Sequence, residues 1–249
     1  MQKSYHILVT GIVQGVGFRP FIYHLAQETG LTGTVENTNE GVEIFISGEE
    51  SVLMAFMGMI QRKAPRASRI ENIYPEEIPY TGFEDFRILR SSNISPKITG
   101  ISPDIAVCDE CLRDMESQPN RIHYPFVNCT LCGPRFSIIR DIPYDREMTT
   151  MQSFPMCAGC RSEYENIHDR RFHAQPVACN ECGPHYSLWK GEDRIIEDTD
   201  TIVSEIWKML REGKIIAMKG VGGFHLACNA QDEYAVSRLR SKKNREGKP

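Results

Sequence analysis

The chain has 249 residues, 41% of them apolar and 25% charged, with a formal net charge of −4, a composition that suits two or three small globular domains. No apolar run approaches the length of a membrane span, and Met1 to Thr10 lacks the basic start and apolar core of a secretory signal. Residues 105–190 carry nine Lys and Arg against eleven Asp and Glu, so the clustered positive charge of a nucleic-acid partner is absent there.

In chain order, Tyr5 to Val13 alternates apolar and polar residues, as a half-buried strand does. Arg19 to Thr29 puts Phe21, Ile22, Leu25 and Ala26 on one helical face, and Gly30 closes it. Gly33 to Thr38 and Val42 to Ser47 read as two strands joined by the turn Asn39-Glu40-Gly41. Val52 to Ile60 is a second helix, with Leu53, Phe56, Met57 and Ile60 inward. Arg69 to Tyr74 and Phe86 to Leu89 complete the sheet. This order, βαββαβ with one further short strand, predicts an α+β, ferredoxin-like domain over 1–91, followed by a linker over 92–104.

Between the first strand and the first helix lies Gly11-Ile-Val-Gln-Gly15-Val-Gly17-Phe-Arg19. Glycines let a loop curl so that its N–H groups converge, and a helix N-terminus adds a positive dipole. An arginine in the first turn grips phosphate oxygens bidentately. Neither a P-loop lysine nor the dinucleotide Gly-x-Gly-x-x-Gly pattern is present.

Eight of the nine cysteines form four Cys-x-x-Cys pairs: Cys108/Cys111, Cys129/Cys132, Cys157/Cys160 and Cys179/Cys182. Seventeen residues separate the first pair from the second and eighteen the third from the fourth. Gly-Pro follows both Cys132 and Cys182, so the segment 105–190 is an internal duplication. Four thiolates per ion leave no open coordination position, which predicts two structural zinc ions. The duplication favours pairing within each repeat; a nested arrangement, first pair with fourth and second with third, also fits the spacings. Paired thiols of this kind point to a reducing compartment, the cytoplasm. His123 and His173 each stand six residues before a cysteine pair and read as structural. Arg170 and Arg171 read as a solvated or salt-bridged face, and Cys228 as a small core residue. From Thr199 an α/β segment begins, with Asp200 as helix cap and Ile202, Val203, Ile206, Trp207 and Leu210 inward, then a strand from Ile215 to Met218. The sequence stops at Pro249 in mid-module, the pattern of a truncated chain or an incomplete sequence.

Val13-Gln14-Gly15-Val16-Gly17-Phe18-Arg19, followed by Gly33-x-Val35-x-Asn37-x-x-x-Gly41, resembles the acylphosphatase signature. The resemblance implies that the loop Gln14, Gly15, Val16, Gly17, Phe18 and Arg19 bind the phosphoryl group and that Asn37 orients the attacking water. An acyl phosphate is an activated anhydride, so charge neutralisation and a positioned water suffice. One departure is Glu40, where many acylphosphatases have Asp.

The whole chain is similar to the N-terminal part of the hydrogenase-maturation carbamoyltransferases. The runs that carry this are Cys129-Thr-Leu-Cys-Gly-Pro-Arg-Phe-Ser-Ile138, Pro143-Tyr-Asp-Arg146, Asp169-Arg-Arg-Phe-His-Ala-Gln-Pro-Val-Ala-Cys179 and Lys219-Gly-Val-Gly-Gly-Phe-His-Leu226. The resemblance makes 199–249 the truncated start of a YrdC-like α/β module, in which Lys219, Lys243, Arg245 and Lys248 would face nucleotide phosphates. It implies hydrolysis of carbamoyl phosphate, then use of ATP with magnesium by the complete YrdC-like module. The carbamoyl group would pass to a C-terminal cysteine of a partner maturation protein, for the cyanide ligand of a nickel–iron hydrogenase. Two other functions fit the residues: a zinc-stabilised docking module without catalysis, and a generic acylphosphatase with an appended zinc domain.

Overall fold

The N-terminal strand β1 (Gln2–Ile12) buries Tyr5, Ile7 and Val9 on one face, the period of two that its sequence dictates. It lies between β3 (Val42–Glu49) and β4 (Arg69–Ile78), and β2 (Thr32–Asn37) and β5 (Phe86–Ile88) follow, in the order β4-β1-β3-β2-β5. All pairings are antiparallel except β2 with β5. Helices α1 (Phe18–Thr29) and α2 (Glu50–Arg62) pack on the sheet, where Phe18, Ile22, Leu25, Leu53, Phe56 and Ile60 meet Ile7, Val35, Ile44 and Ile46 in one apolar core. The chain is a computed structural model that describes residues 1–92, 100–196 and 198–244.

Two expectations shift at their edges. Strand β1 starts at Gln2 and β4 runs on to Ile78, beyond Tyr74. Strand β4 is an edge strand paired with β1 alone and mostly exposed, so Pro75, Glu76 and Glu77 show no apolar alternation.

The same compact unit, Met1–Gly183, carries both four-cysteine segments. Each has a short helix begun by its first cysteine: α3 (Asp109–Ser117) after Cys108, and α4 (Ala158–Glu165) after Cys157. A helix N-terminus favours thiolate, and Cys157 Sγ accepts from the Cys160 N–H at 3.5 Å.

The second unit, Pro184–Pro249, holds the hairpin β6 (Leu188–Lys190) and β7 (Asp193–Ile196), helix α5 (Thr199–Arg211), the hairpin β8 (Ile216–Lys219) and β9 (Phe224–Ala227), and α6 (Glu233–Lys243). The cap of α5 is Asp198, whose carboxylate accepts from the Thr201 N–H at 2.8 Å, and not the expected Asp200, which sits in the first turn. Of the expected inner face only Ile202 is fully buried; Val203 and Trp207 are more than half exposed, because a two-stranded sheet is too small to cover it. Cys228 is half-buried rather than enclosed in a core.

Candidate functional site

The loop between β1 and α1 closes one end of a small cavity. Gly15 and Gly17 both adopt the left-handed conformation, φ 70° and 76°, which a side chain disfavours. Their curl brings the N-terminus of α1 to the cavity, with no acidic residue in its first turn to neutralise the dipole. Val16 and Phe18 are buried in the core, so they anchor the loop from behind. Gln14 Nε2 donates to the carbonyls of Thr38 at 2.6 Å and Gly41 at 3.0 Å, fixing the loop to the β2–β3 turn. Arg19, 7% exposed, and Asn37, 2% exposed, both line the cavity, and Asn37 Oδ1 is buried without a hydrogen-bond partner. An orphaned buried acceptor costs about 1–3 kcal/mol and is explained by something that binds there.

The opposite wall comes from the zinc module: Tyr144, His173 and Gln175 face the loop across a cavity of about 20 Å³, room for about one water. This wall is pinned. Tyr144 N–H donates to Gln14 Oε1 at 2.9 Å, and Arg146 N–H to Gln175 Oε1 at 2.8 Å. The Arg146 guanidinium donates to the carbonyls of Gln175, Val177 and Phe154 at 2.7–2.8 Å. Burial, and then the charge of Arg19, pushes His173 down to about 4, with Asp145 opposing; its imidazole is neutral at pH 7 and its buried Nδ1 has no partner. Burial likewise pushes the Tyr144 phenol up, so it stays protonated.

The cysteines gather within repeats, Cys108, Cys111, Cys129 and Cys132 in one group and Cys157, Cys160, Cys179 and Cys182 in the other, each with its sulfurs within 4.8 Å of one another. The nested pairing is thereby excluded. Four sulfurs around a tetrahedral zinc stand about 3.8 Å apart. Cys129 Sγ lies 3.6 Å from Cys108 Sγ and 3.8 Å from Cys132 Sγ, and Cys179 Sγ lies 3.7 Å from Cys157 Sγ and 3.9 Å from Cys182 Sγ. Both groups fit zinc, and a closed shell of thiolates makes the role structural.

The two repeats grip each other reciprocally. Arg121 of the first is fully buried and donates to Glu163, to the Ala178 carbonyl at 3.1 Å and to Cys160 Sγ at 3.4 Å, all in the second. Arg171 of the second donates to the Asn128 carbonyl at 3.1 Å and pairs with Asp114 of the first. Its neighbour Arg170 also pairs with Asp114 and donates to Cys111 Sγ at 3.1 Å. The backbone repeats the pattern, Asn180 N–H to Asn120 O at 3.0 Å and Thr130 N–H to Arg170 O at 3.2 Å.

Arg170 and Arg171 are thus both salt-bridged, Arg171 buried and Arg170 partly exposed. His123 and His173 both have φ 56°, and their N–H groups donate to the Met115 and Tyr164 carbonyls at 2.9 and 3.0 Å, which closes each knuckle as expected. That His173 also lines the cavity was not legible in the spacing. Asp145, whose Oδ1 accepts from Arg19 at 2.8 Å, was missed as well; its sole signal is the Pro143-Tyr-Asp-Arg146 run. Lys219 and Lys243 are exposed in the second unit. Arg245 and Lys248 lie outside the described residues, as does most of the expected linker.

Residues 5–88 match the family model described as Acylphosphatase, 107–139 and 156–189 the one described as HypF finger, and 208–249 the Sua5/YrdC model described as Telomere recombination. Over 86 residues the chain is 38% identical to the acylphosphatase of Bacillus pumilus, covering 34% of this chain and 94% of that protein. The N-terminal domain therefore belongs to the acylphosphatase family.

The similarity extends to the rest of the chain. It is 42% identical over 252 residues to the carbamoyltransferase HypF of Rhodobacter capsulatus, covering 99% of this chain and 33% of the relative. To the probable carbamoyltransferase HypF of Methanocaldococcus jannaschii it is 45% identical, over all of this chain and 33% of that one. A crystal structure of full-length HypF in a phosphate- and nucleotide-bound form superposes with TM-score 0.88 at 45% identity, over 100% of this chain and 32% of that one. The chain is similar over its whole length to HypF carbamoyltransferases and spans about a third of the length of the curated relatives it matches. Among the described residues no helix is long and apolar enough to cross a membrane.

Proposed function

We propose that this chain hydrolyses carbamoyl phosphate to carbamate and phosphate, acting in the cytoplasm. This is the first step of carbamoyl transfer to the C-terminal cysteine of a partner maturation protein, for the cyanide ligand of a nickel–iron hydrogenase. The observation that carries the reading is the convergence of Arg19, Asn37 and the α1 N-terminus on one buried cavity. Arg19 and the loop Gln14–Phe18 bind the phosphoryl oxygens and stabilise charge as it shifts. The unpartnered Asn37 Oδ1 accepts from a water and aims it at phosphorus. The water oxygen bonds to phosphorus as the bond from phosphorus to the carbamoyl oxygen breaks; the electron pair leaves on carbamate, a resonance-stabilised anion that needs no general acid, and the water's protons stay on the phosphate. In the complete YrdC-like module Lys219, Lys243, Arg245 and Lys248 would face ATP phosphates, with magnesium.

Phosphate release from carbamoyl phosphate by the purified chain tests this. Arg19→Ala should raise KM and lower kcat together, because one contact serves ground and transition states. Asn37→Ala should lower kcat by about two orders of magnitude, as loss of one preorganised group does. Parent-like rates in both variants would leave the N-terminal domain without this activity.

A further inference from the structure

The guanidinium of Arg19 is held at both ends. Nη1 donates to Ser91 Oγ at 3.1 Å and Nη2 to Asp145 Oδ1 at 2.8 Å. Arg19 lines the cavity, whereas Ser91 and Asp145 form no part of its wall. The contact between carboxylate and guanidinium therefore lies outside the lining of the cavity. With five N–H donors in a rigid fork, arginine keeps donors for an anion while two are spent on orientation.

Asp145 is itself fixed on both flanks. Before it, Tyr144 N–H is bound to Gln14 Oε1 at 2.9 Å, which references the turn to the phosphate loop. After it, the Arg146 guanidinium is bound to the Gln175 and Val177 carbonyls at 2.7 and 2.8 Å, just ahead of the metal-binding Cys179. A path of hydrogen bonds thus runs from the second four-cysteine repeat to Arg19, and its Arg19–Asp145 link joins residues 126 apart in sequence.

We propose that Asp145 is the positioning residue of the phosphoryl-binding arginine, so that the zinc module completes the acylphosphatase site. This rests on the acylphosphatase reading above. An unheld arginine samples many rotamers, and fixing it beforehand removes that cost from substrate binding and from the transition state. The negative charge of Asp145 repels the substrate somewhat, and the ordering of Arg19 outweighs it.

The test uses the whole chain loaded with zinc, with carbamoyl phosphate as substrate and inorganic phosphate as competitive inhibitor. Asp145→Ala should lower kcat/KM by about 10- to 100-fold and weaken phosphate inhibition, with zinc content as in the parent and a lower Tm, because the buried Arg19 loses its carboxylate. Asp145→Asn keeps the acceptor oxygen without the charge and should fall between. Formate, small enough to take the vacated place, should restore part of the rate to Asp145→Ala, which a merely structural defect would not allow. Parent-like kinetics in Asp145→Ala overturn the inference, as does tighter phosphate inhibition, which would mark Asp145 as a competitor of substrate. A loss that formate does not relieve also overturns it. The underlying reading fails separately: if the parent does not hydrolyse carbamoyl phosphate, or Arg19→Ala equals it, the site and this inference fall together.

Discussion

Replacing Arg121 with Met removes a fully buried guanidinium from the first repeat, and the damage should appear at the metal of the second. Four acceptors lose their donor: two Glu163 oxygens, the Ala178 carbonyl and Cys160 Sγ. Breaking one partner of a buried ion pair costs about 3–5 kcal/mol. Glu163 keeps Gln118 Nε2 at 3.1 Å and Arg171 at 3.6 Å, so the low end applies, about 3 kcal/mol. Of that, the donor lost by a thiolate is worth about 1.5–3 kcal/mol, or about 10- to 100-fold in zinc affinity. Competition with a chromophoric chelator gives the affinities, and alkylation of freed thiols with mass spectrometry identifies the site. Alkylation should appear first at Cys157, Cys160, Cys179 and Cys182. Alkylation first at Cys108, Cys111, Cys129 and Cys132, or zinc held as tightly as in the parent, would refute the cross-repeat assignment.

Elemental analysis should find two zinc ions per chain, and Cys108→Ser should lose one while the cysteine-free N-terminal domain stays folded; fewer than two in the parent would refute the metal assignment. Gly15→Ala places a Cβ 2.7 Å from the Tyr144 ring and 2.8 Å from Pro134 at φ 70°. It should cost about 1–2 kcal/mol in backbone conformation alone and depress phosphate release further by displacing the wall, which activity and Tm measured together would show. For His173, the folded value of about 4 lies below the unfolded 6.5. The unfolded chain then binds the extra proton, so this contribution is whole above about pH 6.5 and is lost as pH falls toward 4, about 3 kcal/mol in all. His173→Asn, which tolerates the positive φ, should flatten urea-midpoint curves across that window; an unchanged slope would count against a buried neutral imidazole.

The ferredoxin-like domain was legible because its two periods are clean: Ile7 and Val9 on β1, and Ile22, Leu25 and Ala26 on α1, are buried as their spacing requires. The cysteine pairs were legible because ligand spacing is local. The duplication favoured within-repeat over nested pairing, but the intervals alone satisfy both, and packing decides for pairing within each repeat. Arg19 and Asn37 announced themselves through motif, but Asp145 and His173 join them through contacts between modules, which no local pattern encodes. Gly15 held a trace of this, since a glycine under close approach reports a neighbour without naming it. Arg121 and Arg171 were hidden for another reason: a buried arginine in a polar stretch looks like a surface one until its partners are in place.

The contacts between the repeats obey the rule of an isologous interface, in which residue i meets j and j meets i, as between subunits related by a twofold axis. One polypeptide thus contains what amounts to a fused homodimer. Each half presents the same self-complementary patch, so a single ancestral finger could have paired with its own copy before duplication joined them. Fusion then freed the halves to diverge on their outer faces while the shared patch stayed constrained. Both halves still meet at the phosphate cavity, the first through Cys129, Thr130 and Gly133 and the second through His173, Gln175 and Pro176. A finger grafted in from elsewhere would still bind its metal, but it would leave a buried arginine of the other half with nothing to hold.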